Sequence, residues 1–257
     1  MPDVPTYQIR RFKEKSASYC LTAIVWNEGE RIRAQIERMA SWAELVDVVI
    51  IDGGSDDGSL ENVHLQNHRT TALVTVDEPG LGTAVRAAIA FSLAENYQGL
   101  ITIDGNGKDD LAALPEILAA LQSGVGLVQG SRFLPGGFHH HTPLERLLGI
   151  RWLVAPLISF RAGVRVTDPT NGFRGLSREY LIDPRLQPLR SRFVGFALQL
   201  YLVFRSEALG HGFQEIPVGR SYPENGTIPT KIIGFKPRLS FLGALIRVVT
   251  RLENPKA

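Results

Sequence analysis

The apolar run Leu100-Ile101-Thr102-Ile103 stops at Asp104 and breaks into Gly105-Asn106-Gly107-Lys108-Asp109-Asp110. One or two protein carboxylates suffice to hold Mg2+ when a ligand's phosphates complete its shell. A strand-end acid followed by a short acidic loop therefore points to metal-assisted chemistry on a phosphorylated substrate. The same residues also suit a solvated turn in which Asp109 and Asp110 start a helix. A second polar segment, Asp52-Gly53-Gly54-Ser55-Asp56-Asp57-Gly58-Ser59, cuts another apolar run in the same way.

Such groups need strands that deliver them to one edge of a sheet. Apolar runs at 19–25, 45–51, 72–76, 100–103 and 126–129 read as strands. Helical spacing appears at Ile32, Ile36 and Met39, over 83–94 and near 114–121. Each strand empties into a polar or glycine-rich loop, among them Trp26-Asn27-Glu28-Gly29-Glu30, Glu78-Pro79-Gly80-Leu81-Gly82 and Gly130-Ser131-Arg132. This alternation predicts an α/β fold with a doubly wound, Rossmann-like, mostly parallel sheet and its ligand loops gathered on one edge.

The second half changes character. Residues 134–142 form a glycine- and histidine-rich loop, and a helix bearing Trp152 is expected over 144–161. Residues 164–175 read as a short strand and a tight polar turn, 193–209 as helix, 214–218 as strand and 222–229 as a loop. A C-terminal helix over 239–252 would set Ser240, Arg247 and Arg251 opposite Phe241, Leu245, Val248, Val249 and Leu252. That basic, amphipathic pattern suits a membrane surface, and equally packing on the domain or on a second subunit in a homodimer. Consecutive His139, His140 and His141 do not converge on a metal without special backbone geometry, so a mobile loop is expected there.

The chain has 257 residues, 44% of them hydrophobic, with a formal charge of +2. Such a chain supports one large α/β domain, and near-neutrality gives no general attraction for nucleic acid. Cys20 stands alone, which excludes an internal disulfide and suits a reducing compartment. The first 18 residues are charged and lack the apolar core of a signal peptide. No window reaches the roughly 18 apolar residues of a spanning helix. We expect a polar arm over 1–18, one α/β domain over 19–235 and a helical tail over 236–257. The expected location is cytoplasmic, or peripheral at the inner membrane face.

The order of these pieces resembles the family 2 glycosyltransferases of the GT-A fold, closest to their polyprenyl-phosphate branch. The resemblance spans residues 19–235 and rests on four ordered motifs: Ala23-Ile24-Val25-Trp26-Asn27-Glu28, the segment 50–59, Gly130-Ser131-Arg132-Phe133, and Thr167-Asp168-Pro169-Thr170-Asn171-Gly172-Phe173-Arg174. It implies an inverting hexosyltransferase taking a UDP- or GDP-sugar to a polyprenyl phosphate with Mg2+ or Mn2+. Transfer to a sugar hydroxyl in polysaccharide or glycolipid synthesis, and a non-catalytic binder of sugar nucleotides, are the alternatives. By resemblance, Val25, Asn27, Glu28, Asp52, Gly54, Ser55, Gly82, Asn106 and Lys108 would line the donor. Asp104, Asn106 and Asp109 would hold the metal. Arg132, Arg174 and Lys231 would face phosphate, and Asp168 would be either a base for a hydroxyl acceptor or the anchor of its turn. The chain departs from the family where Asp-x-Asp becomes Asp104-Gly105-Asn106, where Gly53 replaces an acid, and where Ala197 and Gln199 stand near glutamate positions. An amide ligates a hard cation more weakly than a carboxylate, so a weakened metal dependence is expected, with Lys108 partly replacing the cation and Asp109 or Asp110 lending a carboxylate.

Overall fold

The computed structural model describes residues 3–222 and 235–255. Its strands are β1 (Tyr7–Arg11), β2 (Tyr19–Val25), β3 (Asp47–Asp52), β4 (Thr70–Val76), β5 (Gly99–Asp104), β6 (Leu127–Ser131), β7 (Phe138–His140), β8 (Arg174–Ser177), β9 (Phe213–Pro217) and β10 (Gly219–Ser221). Its helices are α1 (Glu30–Ala40), α2 (Asn62–Asn67), α3 (Leu81–Ala94), α4 (Leu114–Gln122), α5 (Leu144–Gly149), α6 (Ala155–Ala162), α7 (Arg178–Leu181), α8 (Ala197–Ala208) and α9 (Phe235–Val249). Eight strands form one sheet in the order β1-β4-β3-β2-β5-β8-β6-β9, and β10 pairs with β7 beside it. The four strands β4, β3, β2 and β5 run parallel, as expected.

Continuous apolar runs make these central strands, because helices cover both of their faces. On one face Leu21, Ala23, Ile50 and Ile103 meet Ile32, Ile36 and Met39 of α1 and Leu114 and Ile117 of α4. On the other, Cys20, Val49, Ile51 and Leu100 meet α3 and α8, through Ala84, Ala88, Leu198 and Val203 among others. Asp47, fully buried at the start of β3, accepts hydrogen bonds from the amides of Ser16 (3.0 Å) and Ala17 (3.1 Å) and from the Tyr97 hydroxyl (3.0 Å).

Several elements differ from the sequence expectation. The polar N-terminal stretch contributes β1, antiparallel to β4 at the sheet edge, where a strand needs partners for its backbone but no apolar face of its own. Residues 164–166 are not a strand. The strand is β8, which enters antiparallel between β5 and β6 and makes the sheet mixed. Its Gly175 is required, since a Cβ there would stand 2.8 Å from Ile117 and Leu121. The histidine loop contains β7, parallel to β10. The helix over 144–162 winds as a π turn at Ile150–Val154, just before Pro156, which has no N–H to donate. Along α9, Ala244, Leu245 and Val248 are buried against the domain and Arg247 pairs with Glu253 at 2.9 Å, so packing consumes much of the apolar face. Among the described residues no helix is long and apolar enough to cross a membrane.

Candidate active site

The sheet brings the two sequence-predicted acids to the same edge. Asp52 stands in register with Val25 and Asp104 with Ile24, so the ends of β3 and β5 flank the end of β2. Both following loops bond back to that strand: Gly53 donates to the Val25 carbonyl (2.7 Å) and Gly105 to the Ile24 carbonyl (2.9 Å). A Cβ on Gly105 would lie 2.8 Å from the Ile24 oxygen, and one on Gly53 3.1 Å from the Val25 oxygen.

The loops after β2 and β3 hold each other. Asn27, at φ 49°, donates from its side chain to Asp56 (2.8 Å) and accepts from the Asp56 amide (2.9 Å). Its own amide donates to the Ser55 hydroxyl at 3.0 Å. Asp52 uses one oxygen, Oδ1, to accept from the amides of Gly54 (3.1 Å) and Ser55 (2.8 Å). Gly54 sits at φ +90°, a left-handed conformation that suits glycine. Glu28 is nearly buried and pairs with Arg31 at 3.0 Å.

Around Asp104 the structure adds a residue that the sequence reading missed. Arg220 of β10 donates to the Asp104 carboxylate, to Asp109 Oδ1 (2.9 Å) and to Asn171 Oδ1 (3.2 Å). Backbone pairing fixes it there, since Asp110 N–H donates to the Gly219 carbonyl and Ser221 N–H to the Lys108 carbonyl, both at 3.0 Å. Gly172 makes the room: a Cβ on it would lie 2.4 Å from Asp104 Oδ1. Burial works against the Asp104 charge, but Arg220 and Lys108 hold its carboxyl below the ordinary range. Burial, seconded by Arg220, pushes Lys108 down to about 7 against the pull of Asp104 and Asp109. The Lys108 ammonium lies 4.9 Å from the ring centre of Tyr222, whose hydroxyl accepts from Arg146 at 2.7 Å.

Other expected site residues have partners within the protein. Asp109 is buried with both oxygens engaged, Oδ1 by Arg220 and Oδ2 by the Asp104 amide (3.2 Å). Asp110 caps the turn Leu111–Ala113 through the Ala112 amide (3.0 Å). Asp168 is completely buried and forms a two-pronged ion pair with Arg132, Nε to Oδ2 at 2.6 Å and Nη2 to Oδ1 at 2.8 Å. The Arg132 amide and the Thr170 hydroxyl add to it. The Asp168 carboxylate and the Arg132 guanidinium are thus engaged with each other in this structure. Arg174 is also buried, and it donates to the carbonyls of Gln199 (2.8 Å) and Asn171 (2.6 Å) rather than facing phosphate. Gly82 lies against the backbone of Phe193, whose oxygen a Cβ would meet at 2.2 Å. Val25 is buried beneath the loops. Lys231 lies outside the described residues.

Alternation along β7 separates the histidines, with His140 beside Phe138 (4.9 Å between ring centres) and His139 edge-on to Phe133 (5.8 Å). His139 also feels the charges of Arg132 and Asp168. It opens a cleft of about 430 Å3, lined further by Leu144, Leu147, Leu148, Arg151 and Trp152.

The donor set fits a divalent cation on one observation: the Asn106 side-chain oxygen is buried without a hydrogen-bond partner. The amide N–H of the same side chain helps to hold the Asp104 carboxylate in its charged form.

A mixed sheet with this strand order and two acids flanking its central strand is the architecture of the GT-A glycosyltransferases. The chain superposes on glucosyl-3-phosphoglycerate synthase from Mycobacterium tuberculosis, in complex with Mn2+, UDP-glucose and phosphoglyceric acid, with a TM-score of 0.65 at 19% identity, over 93% of this chain and 81% of that one. No family model matches the chain. Its sequence is 28% identical to polyprenol monophosphomannose synthase of Mycolicibacterium smegmatis over 220 residues, 81% of this chain and 78% of the relative. It is 29% identical to undecaprenyl-phosphate mannosyltransferase of Micrococcus luteus over 203 residues, 75% of this chain and 79% of that protein. The chain is a homologue of polyprenyl-phosphate mannosyltransferases, which bears out the resemblance carried by its motifs.

Proposed function

We propose that the protein is an inverting glycosyltransferase that moves a sugar from a nucleotide-sugar donor to a polyprenyl phosphate. Asp52, Asn27 and Glu28 suit the nucleoside, because carboxylate and amide groups bond base N–H and ribose O–H groups. Lys108 and Arg220 lie where a diphosphate bound against Asp104 would need positive charge. The observation that carries the acceptor half is Asp168, whose oxygens are bound by Arg132 and Thr170. A hydroxyl acceptor needs a base. A phosphate monoester is already anionic near neutral pH, with a second pKa of about 6, and needs none.

In this reading an oxygen of the acceptor phosphate attacks the anomeric carbon from the face opposite the leaving group. The bond from that carbon to the donor diphosphate breaks, and the nucleoside diphosphate leaves with the electron pair. Asp104 and Asn106 would hold Mg2+ or Mn2+, which supplies Lewis-acid neutralisation of the diphosphate when bound. The apolar cleft between His139 and Trp152 would receive the first isoprenoid units, with Arg151 beside the phosphate. The reaction would run with the protein peripheral at the cytoplasmic face of a membrane.

The test incubates the protein with labelled GDP- and UDP-sugars, Mg2+ or Mn2+, and a short polyprenyl phosphate. Label passing into the organic phase supports the reading, and its absence with every donor overturns it. Asp168→Asn separates the acceptors. Per folded molecule it keeps transfer to phosphate within an order of magnitude, whereas a hydroxyl acceptor relying on this base would lose at least about 100-fold.

A further inference from the structure

Away from the active-site edge, α1 and α2 place three metal-ligating side chains together. Glu37 projects from α1, and His64 and the adjoining His68, one turn apart, come from α2 and its C-terminal cap. One ligand atom from each lies within 4.8 Å of the others. The His68 Nε2 stands 3.9 Å from the Glu37 carboxylate, and the two imidazole centres are 4.5 Å apart. The His64 ring hydrogen-bonds the backbone of Arg33, while its Nε2 is buried with no partner at all. A buried ring nitrogen without a partner is unfavourable unless something occupies it. A backbone bond on the other side of the ring is the arrangement that orients a metal-ligating histidine.

We infer that Glu37, His64 and His68 form a site for a zinc-class divalent cation, separate from the active-site edge. Two imidazoles and one carboxylate suit Zn2+, and they disfavour Mg2+, which prefers oxygen ligands in an octahedron. Tetrahedral bonds of about 2.1 Å require ligand atoms about 3.4 Å apart, so atoms that lie within 4.8 Å of one another need to close by at most about 1.4 Å. Water would fill the fourth position on the exposed side of Glu37. Such an ion would join α1, which leads out of the Asn27–Glu28 turn, to α2, which follows the 52–59 loop. It would brace both of those loops from behind.

The full chain, stripped with a chelator and freed of it, is titrated with Zn2+ in excess Mg2+, and bound zinc is measured after gel filtration alongside the melting temperature. The expected result is one retained equivalent and a raised melting temperature, both unchanged in Asp104→Asn. Both should be lost in His64→Gln and in His68→Gln, each checked for folding by circular dichroism. Zinc retention that survives both histidine substitutions, or that disappears only in Asp104→Asn, overturns the site, as does a wild-type chain that retains no zinc. None of these outcomes depends on sugar transfer, so failure here and failure of the transferase reading are distinguishable.

Discussion

Arg220 decides the electrostatics at the residue scale. Asp104 and Asp109 would be two like charges in a largely buried site, and the guanidinium between them makes the arrangement tenable. Removing it strands the buried Asp109 beside a partly exposed Asp104 and, in the proposed reaction, withdraws a fixed cation from the leaving diphosphate. Arg220→Met is therefore expected to reduce kcat by about 100- to 1,000-fold, as the loss of one preorganised charge-stabilising donor does. Steady-state kinetics beside a circular-dichroism spectrum would check it, and a near-normal kcat in a folded variant would refute the role. The sequence marked Asp104 because it ends an apolar strand, and Arg220 sits just past the Ile216–Val218 run with the same signal. It was passed over because no motif surrounds it. The motifs around Arg132, Arg174 and Asp168 did not reveal that Arg132 and Asp168 bond each other and that Arg174 bonds backbone carbonyls.

The elements were legible to different degrees for physical reasons. Strands β2 to β5 and helices α1, α3 and α4 follow from periodicity alone, since each has a long apolar face or run. β8 was hidden because four residues, RGLS, carry no period, and only insertion between two strands makes them a strand. β1 was hidden because an exposed edge strand draws its stability from backbone pairing. Its continuation toward β2 is fixed by Asp47, which collects the amides of Ser16 and Ala17. Burial opposes the Asp47 charge, but those amides and the Ser16 and Tyr97 hydroxyls outweigh it and lower its pKa. A carboxyl lowered in the folded state contributes stability that is complete above its unfolded value and is lost as pH falls through the folded one. Wild-type stability should thus decline below about pH 4. Asp47→Asn should unfold about 2–3 kcal/mol more easily at neutral pH and show a shallower acid decline. Denaturant melts at pH 3 and pH 7 would measure both, and parallel curves for the two proteins would remove Asp47 as the cause.

For the whole molecule, the distribution of apolar surface matters most. The chain buries two cores on either side of its sheet, yet leaves Leu144, Leu148, Trp152, Leu153 and Phe160 exposed along a single helical stretch, with Trp152 at 78% and Phe160 at 85%. Contiguous apolar exposure of this kind marks an interaction surface. The α9 helix, which the sequence offered as the membrane-facing element, spends Leu245 and Val248 on the domain. The 144–160 stretch keeps its large side chains outside and runs along the cleft that holds Arg151 and His139. An enzyme acting on a lipid phosphate would set that stretch into the headgroup region, with aromatic rings at the interface and arginine near the phosphates. Flotation on vesicles containing anionic lipid tests this. The wild-type chain should float, and Trp152→Glu with Phe160→Glu should reduce the floating fraction at least about tenfold, since two buried aromatic side chains together contribute more than 1.4 kcal/mol. Transfer to a soluble, short-chain polyprenyl phosphate should be nearly unchanged in Phe160→Glu alone, because Phe160 does not line the cleft proposed for the isoprenoid. Equal flotation of the two proteins would return the stretch to ordinary surface and leave α9 as the remaining candidate for membrane contact.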